Sequence, residues 1–128
     1  MNLKILFKRF ILLDLLLIAL IIFSLFFETA EVADFNRYFE NDFSNSLLIV
    51  YGIGYLIYII NLFLLYKFKS IGKKIYLILF IVSWVLSLLV PPHATDSWLY
   101  VLEGLGFTIS GAILVFLYFT PIKKEFDK

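Results

Sequence analysis

Four long apolar runs, separated by patches that carry nearly all of the charge, decide what this chain can fold into. The runs cover residues 10–27, 47–66, 75–90 and 98–119. A helix crossing a bilayer core ~30 Å thick needs about 20 predominantly apolar residues, within a range of about 17–25. The second and fourth runs fall inside that range and the first lies at its lower end. The third has 16 residues and becomes long enough if Pro91 caps one end while Lys73 and Lys74 snorkel at the other. Apolar residues make up 62% of the 128 and charged ones only 16%. A soluble domain this short keeps too much of its surface in water to hide such a fraction. The expected fold is all-α: an integral membrane four-helix bundle forming a single domain over 1–128.

The first run also has the makings of a signal peptide, with Lys4, Lys8 and Arg9 as a basic leader. The apolar stretch is longer than a typical signal core, however, and no small-residue cleavage site follows in Phe27-Glu28-Thr29-Ala30-Glu31. It reads as a retained helix.

Lysine and arginine positions set the expected orientation. Three cations precede or open the first run (Lys4, Lys8, Arg9). Four lie between the second and third (Lys67, Lys69, Lys73, Lys74), and three follow the fourth (Lys123, Lys124, Lys128). The other two connections hold only Arg37. Ten against one places both termini in the cytoplasm of a multi-pass protein of the plasma (inner) membrane, and argues against dual topology. The basic surface itself speaks for topology and anionic headgroups rather than for a specific partner.

The opposite side is acidic. Residues 28–46 contain Glu28, Glu31, Asp34, Glu40 and Asp42, with Val32, Phe35, Phe39 and Phe43 at helical spacing. The pattern predicts a short amphipathic helix in this first outer loop. Interfacial anchors usually carry basic faces, so a cap over the bundle is the preferred placement. Residues 91–97, opened by proline, predict a tight turn joining the last two helices.

Helices in lipid associate through close packing and polar contacts. The fourth run supplies a small-residue surface in Gly104, Thr108, Gly111 and Ala112, with Gly106 and Ser110 as a second pair, expected to serve packing within the chain. The second run carries a stripe of Tyr51, Tyr55 and Tyr58. The deeper hydroxyls of Tyr55 and Tyr58 need partners, for which Ser83 and Ser87 are available; a ligand-lining wall is the alternative.

Three strongly polar groups lie at membrane depth, where each is a functional candidate. At 1.5 Å per residue, Asp14 sits ~7–8 Å beyond Arg9 and Asn61 ~9 Å before Lys67. Matched depth on neighbouring antiparallel helices predicts that Asp14 and Asn61 face each other, or share Arg9 or Lys67. They would act as a clamp or as a proton or cation site. Glu103 lies ~7–8 Å below the other surface, on the side that also holds the outer cluster of His93, Asp96 and Arg37, and Glu103, His93 and Asp96 form the only acid–base or metal-ligand grouping in the chain. One His and two carboxylates at no recognised spacing give neither a metal site nor, without a nucleophile, a catalytic one. Glu103 has Arg37 as a possible counter-ion, and Arg37 has Asp34 and Glu40 each three residues away.

The absence of cysteine removes thiolate catalysis, Cys-based zinc sites and iron–sulfur clusters. A net charge of +1 gives no bias toward nucleic acid. No cofactor is implied. In size and helix count the chain resembles small multidrug transporters. Those carry an embedded Glu at mid-helix, whereas Asp14 lies near a helix end, and the likeness goes no further. In size and charge pattern it also resembles small bacterial membrane immunity proteins, without a shared motif.

Two functional classes are expected. The first is a non-enzymatic interaction or accessory protein, of the immunity type among others. Its partners are the lipid bilayer and another membrane or extracytoplasmic protein. The second is a small proton-coupled transporter using Asp14, Asn61 and Glu103. A membrane enzyme built on His93, Asp96 and Glu103 is a distant third.

Overall fold

The computed structural model describes residues 2–24, 26–39, 45–89 and 93–127. The chain folds as five α-helices: α1 (Leu3–Ser24), α2 (Ala30–Phe39), α3 (Asn45–Tyr66), α4 (Ser70–Ser87) and α5 (Ser97–Phe119). A 3-10 helix, Pro121–Glu125, closes the chain. Three stretches are long and apolar enough to cross a membrane: Ile49–Tyr66 in α3, Ser70–Ser87 in α4 and Ser97–Phe119 in α5. Helix α1 equals α3 in length at 22 residues, but Lys8, Arg9 and Asp14 all fall in its last 18. Length and apolarity therefore single out three helices where the sequence reading has four, and charge sets α1 apart.

The helix ends differ from the apolar runs for a common reason. Apolarity marks where lipid begins, whereas a helix continues wherever its backbone bonds are made. Helix α1 starts at Leu3, not at residue 10, because Phe7 and Ile11 pack one turn apart into the core. It ends at Ser24. Helix α4 begins at Ser70 and takes in both Lys73 and Lys74. It ends at Ser87, with Leu88 and Leu89 in a turn. Pro91 and Pro92, together with Glu40 to Phe43 of the expected acidic loop, lie outside the described residues.

The α3–α4 connection is a Schellman cap. The Lys69 amide donates to Leu64 O and the Phe68 amide to Leu65 O, both at 2.9 Å. Such caps normally place glycine at the left-handed position, but here Phe68 occupies it at φ 54°. A bulky residue there is strained by about 1–3 kcal/mol. Its ring lies 5.8 Å from that of Phe7 and 5.4 Å from that of Phe126, and this packing offsets the strain. Just beyond, Gly72 lets α4 approach α3 closely. A Cβ there would lie 3.1 Å from Leu64 Cβ and 3.3 Å from the Leu65 amide nitrogen.

The core sits at the end of the bundle that carries both chain termini. Phe7, Ile11, Leu62, Leu65, Tyr76, Ile113, Leu117 and Phe126 are fully buried. Helices α1, α3 and α5 contribute residues about one turn apart, the spacing that keeps them on one face, and α4 contributes Tyr76. The opposite half is open: Ile53, Leu56, Val82, Trp84, Val85, Trp98 and Val101 are all exposed. Among the described residues, Ser24 alone is buried at that end.

Helix α2 lies across the open end and is fixed there by polar contacts. Asn36 behaves like a strand partner to the segment before α5. Its Nδ2 donates to Ala94 O (3.1 Å) and its Oδ1 accepts from the Ala94 amide (2.8 Å). Its Nδ2 also reaches Glu28 Oε1 at 2.8 Å. Thr29 adds two bonds to Asp96, Oγ1 to Oδ1 at 2.8 Å and the amide to Oδ2 at 3.3 Å. The short helix expected between the first two apolar runs is present as α2, with Val32 and Asn36 part-buried and Phe35 47% exposed; the side chains of Phe39 and Phe43 lie outside the described residues.

Candidate functional site

Every long helix sends one hydrogen-bonding side chain to a common point below the open half. Asp14 comes from α1, Tyr58 from α3, Tyr76 from α4 and Ser110 from α5. The Tyr58 hydroxyl donates to Asp14 Oδ2 at 2.6 Å. It also lies 3.1 Å from Ser110 Oγ and 3.2 Å from the Tyr76 hydroxyl oxygen. Tyr76 donates to the Ser110 carbonyl at 3.0 Å.

Counting protons orders these contacts. Tyr76 has a single hydroxyl proton, committed to the Ser110 carbonyl, and Tyr58 has one, committed to Asp14. The Ser110 hydroxyl is therefore the donor to Tyr58, and the contact between the two tyrosine oxygens carries no hydrogen bond of its own. Asp14 is only 2% exposed and Tyr76 is fully buried. The tyrosine rings lie 5.7 Å apart and tilted. Closed polar clusters of this kind fix the relative position of the elements that meet in them.

Asn61 is 1% exposed. It does not bond Asp14: both its Oδ1 and its Nδ2 are buried without a partner. Tyr58, one turn earlier on α3 and with a longer side chain, reaches the carboxylate instead. Arg9 and Lys67 are exposed and take no part. The anticipated Asp14–Asn61 pair is thus replaced by Asp14–Tyr58.

Tyr55 does not join the cluster and is 48% exposed. Ser83 and Ser87 bond carbonyls of their own helix, Phe80 O and Ser83 O, both at 2.8 Å, and so are not tyrosine partners. Glu103 is half-buried in the open half, within electrostatic reach of Tyr55 and outside the cluster. In the anticipated outer grouping Asp96 binds Thr29, Arg37 pairs with Asp34 at 3.7 Å in an exposed contact, and His93 is itself exposed. Among the described residues no three acidic or histidine side chains converge as a metal site. The small-residue stripe of α5 is largely open: a Cβ at Gly104 or Gly111 would meet nothing within 4 Å, and one at Gly106 only Ile21 Cδ1 at 4.0 Å. Helix α1 packs on α5 lower down, through larger side chains such as the Phe10–Phe116 ring pair.

The sequence reading missed Tyr76 and the role of Ser110. Tyr76 follows Lys74 by only two residues, and a tyrosine so close to a basic patch gives no sequence sign that its hydroxyl meets groups from the other helices. No family model matches this chain, and neither a curated protein nor a solved structure does.

Proposed function

We propose that this chain is a four-span membrane protein with cytoplasmic termini that acts as a non-enzymatic interaction subunit, binding a partner protein within or above the open half of the bundle. The fourth span is α1, whose 22 residues reach ~33 Å at 1.5 Å per residue. Its charges need not meet lipid. Lys8 lies over the Tyr66 ring at 4.5 Å at the termini face, and Asp14 is buried in protein. The ten-to-one distribution of cations supports the orientation.

One observation carries the interaction reading. The buried acid is already bonded inside a closed cluster that joins all four long helices, while the other half keeps its apolar faces exposed around a half-buried Glu103. A carrier would invest its buried acid in a solvated path; a binding subunit invests it in rigidity. Two experiments test the reading. Reporter fusions at each connection give the topology. Photo-crosslinkers at Ile53 and Val101, followed by mild detergent extraction, should trap one stoichiometric protein partner. A clean monomer or homo-oligomer in every preparation overturns the proposal.

A proton-coupled carrier is the second reading, favoured by the unpartnered Asn61 amide and by Glu103. It requires that Asp14→Asn with Glu103→Gln abolish proton-linked flux in vesicles while expression stays normal.

A further inference from the structure

Beyond Thr120 the chain stops being helical in the α sense and folds back across the termini face. Thr120 Oγ1 bonds Phe116 O at 2.8 Å and accepts from the Ile122 amide at 3.3 Å, turning the chain into the short 3-10 helix. Phe126 then enters the core, 5.8 Å from the ring of Phe7 and 5.4 Å from that of Phe68, and is fully buried. Two ion pairs tie the segment down, Lys4–Glu125 at 2.9 Å and Lys73–Asp127 at 3.7 Å.

In sequence order inward from this segment, Phe68 of the α3–α4 cap is followed on α3 by Leu65, then Asn61 and Tyr58. Helix α1 presents Phe7, Ile11 and Asp14. Ile122 and Phe126 thus join the layer of side chains between the aqueous phase and the polar residues. Asn61 has a buried donor and a buried acceptor with no protein partner. A buried amide in this condition is costly, and the small guest that both donates and accepts is water.

The two ion pairs of the segment each have one partner at least half exposed, Lys4 at 50% and Asp127 at 64%, against 23% for Glu125 and 19% for Lys73, so salt screens them. A shallow hollow of about 210 Å³ lies beside it, between Asn2–Lys4 and Pro121–Glu125. Finally, the strained Phe68 backbone is held partly by the ring of Phe126, so withdrawing that ring removes one support of the closed arrangement.

We propose that residues 120–127 are a releasable plug, and that its release admits water from the termini side to a hydration site at the Asn61 amide, next to the Asp14 cluster. This goes beyond the interaction reading and does not depend on it, because it concerns the opposite end of the bundle.

The chain has no cysteine, so Leu62→Cys, beside Asn61 and fully buried in the native residue, gives a single-thiol reporter. The full chain in lipid nanodiscs is treated with trimethylammonium-ethyl methanethiosulfonate, which reacts with thiolates that water can reach. The rate follows the open fraction. Truncation after Thr120, or Phe126→Ala, should raise it about tenfold, with helix content unchanged by circular dichroism. Glu125→Gln with Asp127→Asn, which alters only partly exposed side chains, should raise it in the same direction, and molar salt should do so for the intact chain. In the truncated background Asn61→Leu should lower it again by about threefold. Rates for the charge-neutralised chain within about twofold of the intact one overturn the plug, even if truncation itself unfolds the protein. A rate indifferent to Asn61→Leu overturns the assignment of the hydration site.

Discussion

Tyr58→Phe removes one oxygen and leaves the ring in place, so it tests the polar cluster with little change in packing. The missing oxygen is the one that donates to Asp14 at 2.6 Å and lies 3.1 Å from the Ser110 hydroxyl. A hydrogen bond to a charged group contributes about 1.5–3 kcal/mol in soluble proteins. In a helical membrane protein, side-chain hydrogen bonds average ~0.6 kcal/mol and reach ~1.7, because the unfolded state in lipid also finds partners. With both hydrogen bonds broken and Asp14 only 2% exposed, we expect a destabilisation of about 1.5–2 kcal/mol. The assay is unfolding by sodium dodecyl sulfate in mixed micelles, followed by far-ultraviolet circular dichroism. Double-mutant cycles sharpen it. Proton counting gives Tyr58 a bond to Asp14 but none to Tyr76, despite the 3.2 Å approach of their oxygens. Coupling between Tyr58→Phe and Asp14→Asn should therefore be about 1 kcal/mol, and that between Tyr58→Phe and Tyr76→Phe about 0.5 or less. A single variant as stable as the wild type, or a larger coupling between the tyrosines than between Tyr58 and Asp14, refutes the arrangement.

Other perturbations follow from the same geometry. Gly72→Ala places a methyl 3.1 Å from Leu64 Cβ and 3.3 Å from the Leu65 amide nitrogen, and should cost about 1–3 kcal/mol in the same unfolding assay. Gly104→Ala and Gly111→Ala meet nothing within 4 Å and should be neutral or stabilising by up to about 1 kcal/mol; if α5 receives the partner, they should lower its recovery at unchanged stability. Asn36→Ala removes the bonds to Ala94 and Glu28, so limited proteolysis should cut residues 28–39 at least several-fold faster while the core unfolds as before. Phe7→Ala, which empties the centre of the Phe68, Phe116 and Phe126 ring contacts, should cost about 3–5 kcal/mol.

The all-helical class and the positions of α3 and α5 were legible because long apolar runs carry their own signal. The ends of α1 and α4 were not, since Lys4, Lys8, Lys73 and Lys74 interrupt apolarity without interrupting a helix. Asp14 and Tyr58 stood out as polar groups at depth. Their pairing was obscured because side-chain length matters as much as backbone depth: tyrosine reaches where asparagine does not. In the outer grouping, Asp96 is taken by Thr29, a contact between residues 67 apart that no local pattern announces.

The cluster also has consequences for how the chain is made. Tyr58 emerges 44 residues after the carboxylate it binds, and Ser110 follows Tyr58 by a further 52. During synthesis Asp14 is therefore without its native donor until α3 has been made, and the arrangement is finished only once α5 follows. Chains that stall or are cut before Ser110 should carry an incompletely bonded acid, a defect by which quality-control proteases tell unfinished copies from finished ones.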